Sequence, residues 1–101
     1  MTEGRDVVVR DDPEALRYEL LVDGEQAGEL RYREGRGAIA LVHTEVEPAY
    51  EGLGLAGRLV AGALDDIRAR GLRVIAVCPF ARAYIQRHRE YDDLVGRGGG
   101  R

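Results

Sequence analysis

The chain of 101 residues contains no lysine, and all 15 of its basic side chains are arginine. A P-loop and a Schiff base both need a lysine amine, so both chemistries are excluded. Cysteine is nearly absent as well. Its single copy, Cys78, cannot form an internal disulfide.

The chain also has neither a large excess of one charge nor a long apolar run. The chain carries 15 basic and 18 acidic side chains, whereas a general nucleic-acid binder presents a strongly basic face. No apolar run approaches the ~18 residues of a membrane helix. The polar start over residues 1–6 lacks the apolar core of a signal peptide. We therefore expect a cytoplasmic protein without a nucleic-acid or membrane partner.

The hydrophobic content of 45% is sufficient for one core. A second domain would not fit at this length. The sequence therefore predicts a single domain over residues 1–95. The glycine- and arginine-rich residues 96–101 are expected to form a disordered tail.

The first half of the chain has the pattern of β-strands. Short β-branched or alternating segments are separated by turn residues, among them Asp23-Gly24, a pair that favours a tight hairpin. These features predict an antiparallel meander of four strands. The predicted strands cover residues 6–10, 15–22, 26–32 and 38–44.

After Pro48 the apolar period becomes helical. The apolar residues at three- and four-residue steps are Ala56, Leu59, Val60, Ala63, Leu64 and Ile67. An amphipathic helix ending near Gly71 follows from them, and residues 72–78 then form a short apolar strand that Pro79 ends. The fold class is thus α/β, with a mixed α+β sheet: a meander, a βαβ crossover and a short C-terminal helix over residues 80–89.

The segment Gly52–Gly57 satisfies the pattern G-x-G-x-x-G. A dinucleotide-binding fold is nevertheless disfavoured, because the glycines follow a meander and no acidic residue lies about 20 positions on. Glycines between a strand and a helix can also gather backbone amides around a phosphate. Alternatively, they allow the helix to pack closely on the sheet. Both interpretations remain open.

A zinc site is also disfavoured. His43-Thr44-Glu45 matches the first half of the zinc-deaminase motif, H-x-E. The second half, P-C-x-x-C, is missing, because Cys78 precedes Pro79 and no second cysteine exists. We therefore expect no metal.

The run from His43 to Ala56, HTEVEPAYEGLGLA, resembles the small NATD-like branch of the GNAT superfamily of N-acetyltransferases. Members of that branch have a strand ending in H-T-E-V, followed by Y-x-G-x-G and a helix. The resemblance continues through Cys78 to the Tyr-Ile-Gln that begins at Tyr84, so it covers about half the chain. It implies a GNAT-like fold that uses acetyl-coenzyme A.

In this family the sheet is splayed between the fourth and fifth strands, and the acyl-coenzyme A lies in the gap. The resemblance implies a pyrophosphate site on the backbone amides of the glycine loop and a thioester site on those of Leu41 and Val42. Its loop positions are Glu51, Gly52, Leu53, Gly54, Leu55 and Ala56. Further candidates for cofactor contacts are Arg58, Arg82, Tyr84 and Arg87.

Two residues depart from the family pattern. Glu51 stands where a glutamine or arginine is usual, and Arg87 stands where a tyrosine usually protonates the leaving thiolate. An acidic side chain near a diphosphate is unfavourable unless it points to solvent. The phosphate contacts would then come from backbone amides.

Two side chains are candidates for the chemistry itself. His43 is the candidate base, because imidazole readily exchanges protons near neutral pH. Cys78 is a candidate nucleophile, for which a neighbour such as His43 would have to stabilise the thiolate. The alternative for Cys78 is an inert, buried side chain.

These features predict an N-acetyltransferase that moves an acetyl group from acetyl-coenzyme A to an unidentified amine, possibly on a protein. The alternative is a module that binds acyl-coenzyme A or a partner protein without turnover. The expected state is a monomer or weak dimer.

Overall fold

The structure is a computed structural model that describes residues 6–95. Five strands form one sheet in the order β1-β2-β3-β4-β5. The elements are β1 Val7–Asp12, β2 Arg17–Val22, β3 Glu25–Gly35, β4 Ala38–Val46, α1 Leu55–Ala69, β5 Arg73–Ala76 and α2 Pro79–Arg87, with 3₁₀ helices at Pro48–Tyr50 and Arg89–Val95. The predicted tail over residues 96–101 lies outside the described residues.

The predicted topology is confirmed. Strands β1 to β4 pair antiparallel in sequence order, and β5 pairs parallel with β4. Because α1 lies between β4 and β5 in the chain, these three elements form the predicted βαβ crossover. The strand predicted over residues 72–78 is shorter than expected and ends at Ala76.

The β2–β3 turn shows how the sequence sets the local structure. Asp23 and Gly24 both have positive φ, 52° and 85°, as a two-residue hairpin requires. The Asp23 carboxylate also accepts a hydrogen bond of 2.9 Å from the backbone amide of Asp6. The turn residues therefore fix the hairpin and tie it to the start of β1.

The core lies between one face of the sheet and helix α1. The buried residues of α1 are Leu55, Leu59, Val60, Ala63, Leu64 and Ile67, close to the predicted set. Helix and sheet approach most closely at Gly62, where a Cβ would lie 2.7 Å from the Cβ of Val9. Within residues 6–95 no helix is long and apolar enough to cross a membrane.

The opposite face of the sheet, here called the outer face, carries a network of ion pairs. Glu19 lies at its centre, with a side chain only 7% exposed. Arg10 and Arg17 donate to its carboxylate at 2.7 and 2.9 Å. The pKa of Glu19 is lowered because the hydrogen bond from Arg10, with that from Arg17, outweighs the opposing effect of burial.

Replacing Glu19 by glutamine is expected to destabilise the protein. Removing one partner of a fully buried pair costs roughly 3–5 kcal/mol. Because the Arg10 side chain is 61% exposed, solvent screening reduces the expected loss to about 1–2 kcal/mol at neutral pH. The measurement is urea unfolding of both proteins from about pH 7 to about pH 3.

The sign of the pH dependence follows from the lowered pKa. Glu19 stabilises the fold above the pKa of an unfolded glutamate, about 4.3, and this stabilisation is lost as the pH falls through the lower pKa of the folded state. The two proteins should therefore become equally stable in acid. Glu14→Gln is the control, since Glu14 is exposed in the β1–β2 turn. A difference that does not change with pH would contradict this role of Glu19.

Candidate functional site

The site begins where β4 and β5 separate. Their last paired residues are Leu41 and Ala76, but β4 continues for another five residues, to Val46. Beyond β5 the chain turns away, and the backbone amides of Val77 and Cys78 both donate to the carbonyl of Leu41, at 3.0 and 2.8 Å. Among residues 6–95, the far half of β4 therefore has no partner strand on that side, and a gap opens where the resemblance implies one.

A β-bulge in β4 lies at the same point. Arg31 of β3 pairs with His43 and Tyr32 pairs with Leu41, so Val42 is an extra residue in β4. Past the bulge, successive side chains again alternate between the two faces. Thr44 lies on the helix side of the sheet, opposite buried Leu30, and His43 lies on the outer face, opposite Arg31.

The loop between β4 and α1 reaches the same gap. Gly52 and Gly54 have positive φ, 83° and 74°, a conformation that costs other residues energy. Gly54 is the N-cap of α1 and offers no side-chain cap. Within residues 6–95, no hydrogen bond uses the backbone amides of residues 52–57. These amides are therefore free to bind an anion.

A cavity of about 350 Å³ lies between this loop and the free part of β4. Its lining residues are Thr44, Val46, Tyr50, Glu51, Gly52, Gly54, Leu55, Ala56, Gly57 and Phe80. We call it the donor cavity. Free amides at a helix N-terminus beside a cavity fit a phosphate group. Glu51 also lines the cavity, and its negative charge opposes that fit.

The donor cavity contains most of the predicted loop residues and several that were not predicted. Leu53 is not among its lining residues, and its side chain is 43% exposed. Alternation along β4 would not have identified Thr44 and Val46, because the bulge at Val42 reverses which residues of β4 face the helix. Nothing in the sequence indicates that Phe80 lines the cavity, because only the tertiary fold brings the start of α2 to the loop.

Cys78 and His43 are not paired with each other. The Cys78 side chain is buried, and its Sγ lies 3.2 Å from Oγ1 of Thr44. The His43 side chain is 58% exposed, and its Nε2 lies 3.5 Å from Oε1 of Glu45. A thiolate–imidazolium pair is therefore not formed, and the partner of the thiol is Thr44, a lining residue of the donor cavity.

The remaining predicted residues lie around the site without lining the donor cavity. The side chain of Arg82 donates to the carbonyl of Ala76 at 3.3 Å and lines a different cavity, beside β5. Arg58 and Arg87 are exposed and have no ion-pair partner among residues 6–95. Their role in phosphate binding stays a prediction.

Tyr84 packs behind the glycine loop. Its ring lies 3.3 Å from the position of a Cβ on Gly57, and it stacks on His88 with ring centres 3.9 Å apart. Burial raises the pKa of the Tyr84 hydroxyl, and the charges of Glu90 and Asp65 raise it further. Tyr84 thus supports the start of α1 at Gly57 without itself lining the donor cavity.

A four-strand meander, a βαβ crossover and the separation of β4 from β5 form the fold that the resemblance to the GNAT superfamily implies. Residues 17–94 match the family model of the GCN5-related N-acetyl-transferases. The chain therefore belongs to the GCN5-related N-acetyltransferase family.

Among solved structures, the chain is similar to a GCN5-like candidate N-acetyltransferase from Staphylococcus aureus, determined in solution by NMR. The two share 23% sequence identity and superpose with a TM-score of 0.62 over 86% of this chain and 85% of the other. At this identity the likeness supports the fold alone. No curated protein matches the sequence.

Proposed function

We propose that this protein transfers the acetyl group of acetyl-coenzyme A to a primary amine on a polypeptide. The observation that carries the proposal is the unused backbone amides at the start of α1. They face a cavity at the point where β4 and β5 separate. An anionic donor would bind there, with its thioester directed toward the gap between the strands.

The donor would be held mainly by backbone. The amides of residues 52–57 would bind its pyrophosphate at the positive end of α1. The free part of β4, beyond Leu41, would line the path of the thioester, with the amide of Val42 available to its carbonyl oxygen. Glu51 lowers the expected affinity, because this acidic residue lines the same cavity.

We propose direct transfer from donor to acceptor, because His43 and Cys78 lie on different sides of the sheet. His43, on the outer face, would accept a proton from the ammonium of the acceptor. The amine nitrogen would then form a bond with the thioester carbon, and the bond from that carbon to sulfur would break. The attacking nitrogen then loses its extra proton to the released thiolate, through solvent, so that the products are the amide and coenzyme A.

The outer face supports a large acceptor. Among residues 6–95, both helices lie on the opposite side of the sheet and leave His43 accessible from the outer face. Two apolar side chains beside the gap are also exposed, Ile75 at 55% and Val77 at 49%. An open surface of this kind suits a polypeptide better than a small metabolite.

The test is incubation with labelled acetyl-coenzyme A and a peptide whose one free amine is a lysine side chain. Acetylated peptide should form at a rate proportional to the enzyme concentration. Label that appears only in small amines would contradict a polypeptide acceptor. Binding of coenzyme A without any transfer would instead indicate a non-catalytic binding module, an alternative that the arginine at position 87 favours, since a tyrosine is usual there.

A further inference from the structure

A second cavity, which we call the outer cavity, lies where the β1–β2 turn meets β3 and reaches the bulge residue Val42 of β4. Its volume is about 290 Å³, and it is lined by Ala15, Leu16, Arg31, Tyr32, Arg33 and Val42. Val42 is the bulge residue at which β4 and β5 separate. The outer cavity therefore reaches β4 immediately after the last residue that pairs with β5, and it shares no lining residue with the donor cavity.

The wall of this outer cavity is held in a strained conformation. Leu16 has a φ of 55°, which is rare for a bulky residue and often marks a functional site. Its carbonyl accepts a hydrogen bond of 2.9 Å from the amide of Tyr32, and its side chain is 41% exposed. The β1–β2 turn is thus fixed to β3 and presents an apolar surface at the cavity.

The charge of the outer cavity is positive. Of the residues that the structure describes, two arginines line it and no acidic residue does. Arg31 is paired with Glu29 at 3.0 Å, whereas Arg33 has no ion-pair partner within the described part of the chain. An exposed, unpaired guanidinium beside an apolar wall suits a ligand that carries a carboxylate.

The outer cavity also adjoins the proposed base. His43 lies directly opposite Arg31 in the β3–β4 pair, and side chains in that relation are about 5 Å apart. Both belong to the outer face. A lysine side chain whose neighbouring carboxylate contacted Arg33 would therefore reach the gap beside His43.

From this arrangement we infer that the outer cavity is the acceptor site and that it selects a lysine flanked by acidic residues. The inference rests on the proposed acetyl transfer and adds to it the class of polypeptide that is modified. Selection would come from the positive charge of Arg33 and from the apolar wall that Leu16 provides.

The experiment compares two peptides with blocked ends and one central lysine, flanked either by two glutamates or by two glutamines. At low salt, the glutamate peptide should have a kcat/KM roughly fivefold higher, in line with an exposed ion pair. Arg33→Glu should abolish this preference. Arg36→Glu is the matched control, because Arg36 is also exposed and without an ion pair among residues 6–95 but lies in the β3–β4 turn.

A second measurement does not need turnover. In an NMR titration without acetyl-coenzyme A, the glutamate peptide should shift the backbone amides of Arg33 and Val42, and Arg33→Glu should remove these shifts. Equal rates for the two peptides, or equal effects of Arg33→Glu and Arg36→Glu, would overturn the inference. If the shifts occur but no peptide is acetylated, the proposed function fails while the binding site stands.

Discussion

Replacement of Gly54 by valine is expected to abolish the stabilisation of this protein by coenzyme A. A ligand at 100 times its Kd stabilises a protein by about 2.7 kcal/mol, which for a chain of this size raises the Tm by roughly 10 °C. Gly54 has a φ of 74° at the N-cap of α1. A β-branched side chain there would change the loop and occupy the space through which phosphate approaches the amides.

The control for this experiment is Gly37→Val. Gly37 also has a positive φ, 68°, and a Cβ on either glycine would have no neighbour within 4 Å. Each substitution should cost about 1–2 kcal/mol in backbone strain. Gly37 lies in the β3–β4 turn, away from the donor cavity, so only Gly54→Val should lose the response to coenzyme A. An unchanged response in Gly54→Val would show that the loop does not bind the donor.

Replacement of His43 by glutamine should reduce kcat for acetyl transfer by about 100-fold or more, the usual contribution of a general base. Glutamine keeps a polar side chain of similar size but cannot take up the proton of the ammonium. Because the His43 side chain is 58% exposed, stability should change little. The Tm shift caused by coenzyme A should also be retained, since His43 does not line the donor cavity.

Two control variants accompany this measurement. His88→Gln removes the other histidine of the chain, whose ring stacks on Tyr84, and should leave kcat nearly unchanged. Cys78→Ala should retain transfer and lose about 1 kcal/mol of stability, as expected for a small buried side chain. Loss of transfer in Cys78→Ala, together with an acyl adduct on Cys78 in the native protein, would replace direct transfer by a covalent intermediate.

The elements of the fold could be predicted because their signals are local. The Asp23-Gly24 turn, the apolar period of α1 and the apolar strand before Pro79 each depend on residues close together in sequence. The glycine loop was predicted for the same reason, since the need for positive φ at Gly52 and Gly54 is a property of the backbone. Strands β2 and β5 were predicted too long. β2 begins at Arg17 rather than at residue 15, and the separation from β4 ends β5 at Ala76.

The bulge at Val42 could not be predicted in this way. It depends on the register between β3 and β4, in which Arg31 pairs with His43 and Tyr32 with Leu41. The bulge decides which face each side chain lies on, so that Thr44 is on the helix side of the sheet and His43 is on the outer face. When the register between β3 and β4 is not known, His43 and Cys78 can be interpreted as a catalytic pair. The structure instead places Thr44 beside the thiol of Cys78.

The sequence by itself determined the strand meander, the crossover helix and the glycine loop, because hydrophobic period and backbone conformation act over a few residues. Only the tertiary structure decided which side chains meet. Thr44 contacts Cys78 from 34 positions away, and the β1–β2 turn joins β3 and Val42 of β4 in one cavity. Such contacts depend on strand register and on the packing of distant elements, so a one-residue change in register would move His43 to the other face of the sheet.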